Sequence, residues 1–122
     1  RSFIFTTGLP ECVARQALAG LELANAERRE RLADRVRRLR TGLAELGVEA
    51  LGEHHVVPIV LGSRTMAVAE KLLARGFWAA GIRAPTVPPG HERIRITCSS
   101  EHTPLQIDQL LAALEQTLKE VA

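Results

Sequence analysis

The spacing of apolar residues predicts an α/β fold of the α+β kind. It is a two-layer sandwich of three or four mostly antiparallel strands with helices packed on one face. Three observations predict it. An alternating run over 92–98 puts Ile94, Ile96 and Cys98 on one side and Arg93, Arg95 and Thr97 on the other, the pattern of a half-buried strand. Leu32, Val36, Leu39, Leu43 and Leu46 form a helical stripe at i, i+4, i+7, i+11 and i+14. Ile107, Leu110, Leu111, Leu114 and Leu118 form a second stripe near the C-terminus. At 122 residues, without internal repeats, the chain reads as one domain spanning 1–122.

The elements follow in order. Residues 1–8 read as a short extended piece ending in Thr6 and Thr7, hydroxyls that suit an ST-turn or a helix cap. Pro10 suits the first turn of a helix in which Val13, Ala17, Leu18 and Leu21 share a face and Cys12 is a small buried residue. The longest helix is expected over 24–46, with Glu27–Arg31 and Asp34–Arg38 as i,i+4 pairs and Gly47 as its stop. A short strand is expected at 48–51 and a buried one at 56–61, where Pro58 points to an edge or a bulge. Ser63 is the candidate cap of the next helix, with Met66, Ala69, Leu72 and Leu73 inward and Gly76 at its end. A strand over 77–82 leads to Arg83. The final helix is expected to start at Pro104 with Thr103 as its N-cap.

Composition excludes several function classes. The 16 basic residues face 14 acidic ones, giving a net charge of +2, and three Phe, one Trp and no Tyr leave few platforms for stacking bases. The arginine-rich run 35–40 is interleaved with acids and reads as a solvated helix face, so no nucleic-acid partner is expected. Cys12 and Cys98 stand far apart without a CxxC, and the adjacent His54 and His55 point opposite ways on an extended chain, so no metal site is expected. No apolar run approaches a membrane span and no signal peptide is visible, which predicts a cytoplasmic protein without a membrane partner.

The stretch 81–99, GIRAPTVPPGHERIRITCS, organises the rest. Pro85, Pro88 and Pro89 fix φ and remove three donors, so the connector 83–90 is neither helix nor central strand. Arg83 and Thr86 sit on a backbone with few alternative conformations, which lowers the ordering cost of a binding loop. On the strand that follows, the outward arginines are either a solvated basic face or a guanidinium fork for a carboxylate. Spacing alone does not choose.

The segment IRAPTVPPGHERIRIT resembles the I-R-P-P-T-V-P-x-G-x-x-R-L-R-I-T segment of the α-oxoamine synthases, and FIFTTGLP resembles their F-I-[FY]-[ST]-T-x-x-P-P segment. Order and separation agree, and the likeness runs over nearly the whole chain. Two departures are Glu11, where a second proline is usual, and Ala84, where the family has proline. The resemblance implies the C-terminal domain of a fold-type-I, pyridoxal-phosphate-dependent acyltransferase. Such enzymes condense an amino acid with an acyl-CoA and release carbon dioxide.

Residue by residue, the resemblance gives Arg95 the substrate α-carboxylate, Arg83 a substrate or product carboxylate, and Thr86 a substrate contact. It gives Thr6 and Thr7 the cofactor phosphate of the other subunit of a homodimer. Arg93 is structural or at the surface. No catalytic residue is expected in this segment. Lys71 and Lys119 lie on amphipathic helices, so the Schiff-base lysine is expected in a large domain upstream, and the segment alone is expected to be inactive. The arginine at 83 points to the branch that joins L-alanine to a pimeloyl thioester in biotin biosynthesis. The alternatives are a sibling branch (5-aminolevulinate synthase, 2-amino-3-ketobutyrate CoA ligase or serine palmitoyltransferase type) and, from another class, a non-catalytic α/β binding or regulatory module.

Overall fold

The computed structural model describes residues 8–121. Among them the order is α1 (Glu11–Leu23), α2 (Ala26–Glu45), β1 (Val56–Val60), a 3-10 turn (Gly62–Arg64), α3 (Thr65–Ala74), β2 (Ala80–Ile82), β3 (Arg93–Thr97) and α4 (Pro104–Glu120). The sheet order is β1-β3-β2, antiparallel throughout. β1 and β3 each put one face in a single apolar core: Val57 and Ile59 from β1, Ile94 and Ile96 from β3, with Cys98 just beyond and Ala79 just before the short β2. Val36, Leu39 and Leu43 of α2, Val68 and Leu72 of α3, and Ile107 and Leu114 of α4 close that core from the same side. Among the described residues, α2, α3 and α4 all pack on that inner face, and the opposite face holds the candidate site.

Pro58 sits where the edge of a sheet permits it. It lies opposite Arg95 in the register, and the flanking bonds Cys98 N–H to His55 O and Leu61 N–H to Glu92 O show that its missing donor falls on the outer side of β1. There its carbonyl accepts from Leu51 N–H at 2.8 Å. The expected strand at 48–51 is reduced to a single bridge, Ala50 to Ile59, because Arg40 of α2 takes the carbonyls of Ala50 and Gly52 at 3.2 and 2.6 Å. The expected strand over 77–82 forms only over its last three residues.

Helix ends follow local chemistry. Asn25 caps α2 by accepting from Arg28 N–H, so α2 starts at Ala26, two residues later than expected, and Gly47 at φ 68° ends it. Thr103 caps α4 with Pro104 in its first turn, as expected, and Gln106 bonds back to complete a reciprocal capping box. Ser63 does not cap α3: it lies inside the 3-10 turn, and α3 begins without a side-chain cap. The phase of α3 also differs, with Thr65, Val68 and Leu72 buried while Met66 and Leu73 are exposed.

Two more expectations are corrected. Asp34 pairs with Arg37 rather than with Arg38, which is held across the α2–α4 contact by Asp108. Helix α1 buries nothing: Leu18 and Leu21 are exposed, and so is Cys12. Its amphipathic spacing is real, but no described element covers it.

Candidate functional site

Sequence periodicity sends Arg93, Arg95 and Thr97 to one face, and the structure then separates the two arginines. Arg93 lies beside Val60 and Ile82, half-buried, and its Nε donates to the carbonyl of His91 at 3.0 Å. Arg95 lies between Pro58 on β1 and Ala80 on β2, two side chains too short to cover it. Its guanidinium is exposed and has no hydrogen-bond or ion-pair partner among the described residues. A strand fixed on both sides presents it, so the backbone below it is already ordered.

Arg95 lines an open groove of about 380 Å³ together with Trp78, Ala80, Thr97, Ser99 and His102. Trp78 is the surprise, standing 87% exposed. It precedes Ala80 by two residues, so the period-two rule could have placed it on the Arg95 face, but the short strand hid the pattern. His102 comes from the turn after β3. Ser99 N–H donates to its Nδ1 at 3.1 Å, its own N–H donates to Ser99 O at 3.2 Å, and Arg35 of α2 binds its carbonyl at 2.8 Å.

The connector brings Arg83 and Thr86 together with each other but not into this groove. Thr86 N–H donates to Arg83 O at 3.0 Å, closing a turn in which both side chains are exposed. Arg83 leaves β2 one residue past the Ile82–Arg93 pair, about three residues from Arg95 along the sheet, or roughly 10 Å. Gly90 at φ 83° turns the chain back into β3. Thr6 and Thr7 lie outside the described residues.

The other reactive groups are placed away from chemistry. Cys98 faces the core, and burial pushes its thiol pKa up, away from the reactive thiolate. Lys71 pairs with Glu120 at 2.8 Å and Lys119 with Glu115 at 2.6 Å on helix exteriors. Among the described residues no three His, Cys, Asp or Glu side chains cluster as metal ligands, and no helix is long and apolar enough to cross a membrane.

Residues 1–114 match the family model for class I and II aminotransferases, and the chain belongs to that family. Within it, several relatives carry the name 8-amino-7-oxononanoate synthase. A protein so named from Desulforudis audaxviator is 48% identical, over 98% of this chain and 32% of its own length. The enzyme of that name from Saccharophagus degradans is 40% identical, over 100% and 32%. A solved serine palmitoyltransferase from S. paucimobilis, with pyridoxal phosphate and myriocin bound, superposes with a TM-score of 0.85 at 29% identity, over 96% of this chain and 31% of that one. The chain thus spans about a third of the length of the relatives it matches.

Proposed function

We propose that this chain is the substrate-orienting C-terminal domain of a pyridoxal-phosphate-dependent α-oxoamine synthase. In this reading the whole enzyme condenses L-alanine with a pimeloyl thioester, with loss of carbon dioxide, to 8-amino-7-oxononanoate for biotin. It works as a cytoplasmic homodimer whose large domain lies outside this chain and carries the Schiff-base lysine. The observation that carries the reading is Arg95, a guanidinium without a partner among the described residues, on an ordered strand in a chain with 40–48% identity to proteins of that name.

The chain's own residues position rather than react. Arg95 holds the α-carboxylate through two parallel N–H bonds, which fixes the orientation of the bonds at Cα. Arg83 and Thr86, on their shared turn, bind a second polar part of the substrate or product. The donor set fits the cofactor in a limited way: Thr6 and Thr7 offer hydroxyls to its phosphate in the partner subunit, and the described residues offer contacts to substrate only. When bound, pyridoxal phosphate supplies the electron sink for charge developing at Cα.

The test is the visible spectrum of the full-length enzyme with pyridoxal phosphate, titrated with L-alanine, glycine and L-serine. A selective response to L-alanine supports the reading. A selective response to L-serine or glycine favours a sibling synthase, the second reading, which the fold match to serine palmitoyltransferase supports. No cofactor band sinks both and leaves a non-catalytic module.

A further inference from the structure

His102 enters the Arg95 groove with its proton already assigned. Its Nδ1 accepts from Ser99 N–H, so the neutral ring carries its hydrogen on Nε2, on the far side from the turn. Three bonds hold the residue in place: the one to Nδ1, its own N–H to Ser99 O, and Arg35 Nε to its carbonyl from α2. The capping box of Thr103 and Gln106 starts at the next residue, so the ring rides on a backbone anchored from both directions. A donor held this way needs little further ordering to bind.

Among the described residues that line the groove there is no acid and Arg95 is the one formal charge, with Thr97, Ser99 and His102 as its polar neighbours and Trp78 as the apolar wall. A guanidinium forks onto one edge of a carboxylate and leaves lone-pair directions open for another donor. We propose that His102 Nε2–H is that donor, so the carboxylate of the substrate amino acid is held by Arg95 and His102 together. This rests on the reading of Arg95 given above. His102 thereby becomes a binding residue as well as the brace of the β3–α4 turn.

Two substitutions separate those roles. In His102→Asn the side-chain carbonyl replaces Nδ1 as acceptor for Ser99 N–H, while the Nε2 donor is gone. In His102→Gln the amide reaches the Nε2 position, while the turn bond is lost. The measurement is affinity of the cofactor-loaded full-length enzyme for L-alanine and for L-alaninamide, which lacks the carboxylate, read from cofactor absorbance, together with the melting temperature. His102→Asn is expected to bind L-alanine about tenfold more weakly, with L-alaninamide affinity and melting temperature unchanged. His102→Gln is expected to melt lower and keep its preference for L-alanine.

Unchanged L-alanine affinity in His102→Asn, or equal loss for both ligands, overturns the proposal. If His102→Asn does not fold, loss of the preference in His102→Gln overturns it instead. Arg95→Ala is the control. If that variant keeps the preference for L-alanine, the Arg95 reading falls and this one falls with it. If the preference is lost in Arg95→Ala but kept in His102→Asn, this proposal alone fails.

Discussion

Arg38 and Asp108, 70 residues apart, meet in a two-bond fork across the α2–α4 contact, with Nε to Oδ1 and Nη2 to Oδ2 both at 2.6 Å. The fork holds the Asp108 carboxyl below the usual carboxylate range, chiefly through the hydrogen bond from Arg38. Glu120 is held down likewise, chiefly by its bond from Lys71, with Arg75 adding attraction. Both shifts are depressions, so the stability they contribute is complete above the ordinary carboxylate pKa near 4 and is lost as pH falls through the lowered values. Acid titration of the melting temperature should show this loss, and Asp108→Asn should remove part of it. Because both side chains are about half exposed, the pair should also weaken in high salt.

Gly81 lets β2 lie close to α3. A Cβ placed there would stand 2.9 Å from Met66 Sδ and 3.3 Å from Ala69 Cβ. Gly81→Val should therefore wedge strand from helix and destabilise the domain by about 1–3 kcal/mol in denaturant titration. A stability equal to the parent's would mean that the partly exposed Met66 side chain gives way freely.

Leu39 is fully buried on α2 at the centre of the core. Leu39→Ala should cost about 2–5 kcal/mol, the loss expected for a leucine truncated where neighbours cannot collapse. Leu21→Ala on α1, by contrast, should leave the stability of this chain within about 0.5 kcal/mol, since its side chain is exposed.

Arg95→Ala in the full-length enzyme should raise the apparent KM for the amino acid at least tenfold while cofactor absorbance is retained, the signature of a lost charged hydrogen bond to substrate. Unchanged KM and kcat would rule out the carboxylate role. Thr7→Val should weaken cofactor retention, and equilibrium dialysis of pyridoxal phosphate against both proteins checks it.

Much of this architecture was legible in the sequence because period and caps act locally. The stripe through Leu39 and Leu43, the alternation through Ile94 and Ile96, and the N-cap at Thr103 each report an interaction within a few residues. What was not legible depends on distance. Asp34 and Arg38 have the right spacing for a helix pair, but Asp108 offers Arg38 a better fork from another helix. Helix α3 is apolar nearly all round, so its sequence left open which turn of the screw faces inward, and the sheet chose Val68 and Leu72. At the site, alternation makes Arg93 and Arg95 equivalent. Only their cross-strand neighbours and the carbonyl of His91 distinguish them, and only the turn at Ser99 brings His102 to the same groove.

Helix α1 has a consequence for dynamics. With 13 residues and no buried side chain, it relies on its own hydrogen bonds, and an isolated helix of that length is marginal in water. Its opening is therefore decoupled from global unfolding. In the 122-residue chain its amides should exchange with solvent orders of magnitude faster than those of α2 and α4, and a protease should trim it while the remaining layers stay intact. Whatever quenches that exchange in a longer protein would identify the surface α1 was shaped to meet.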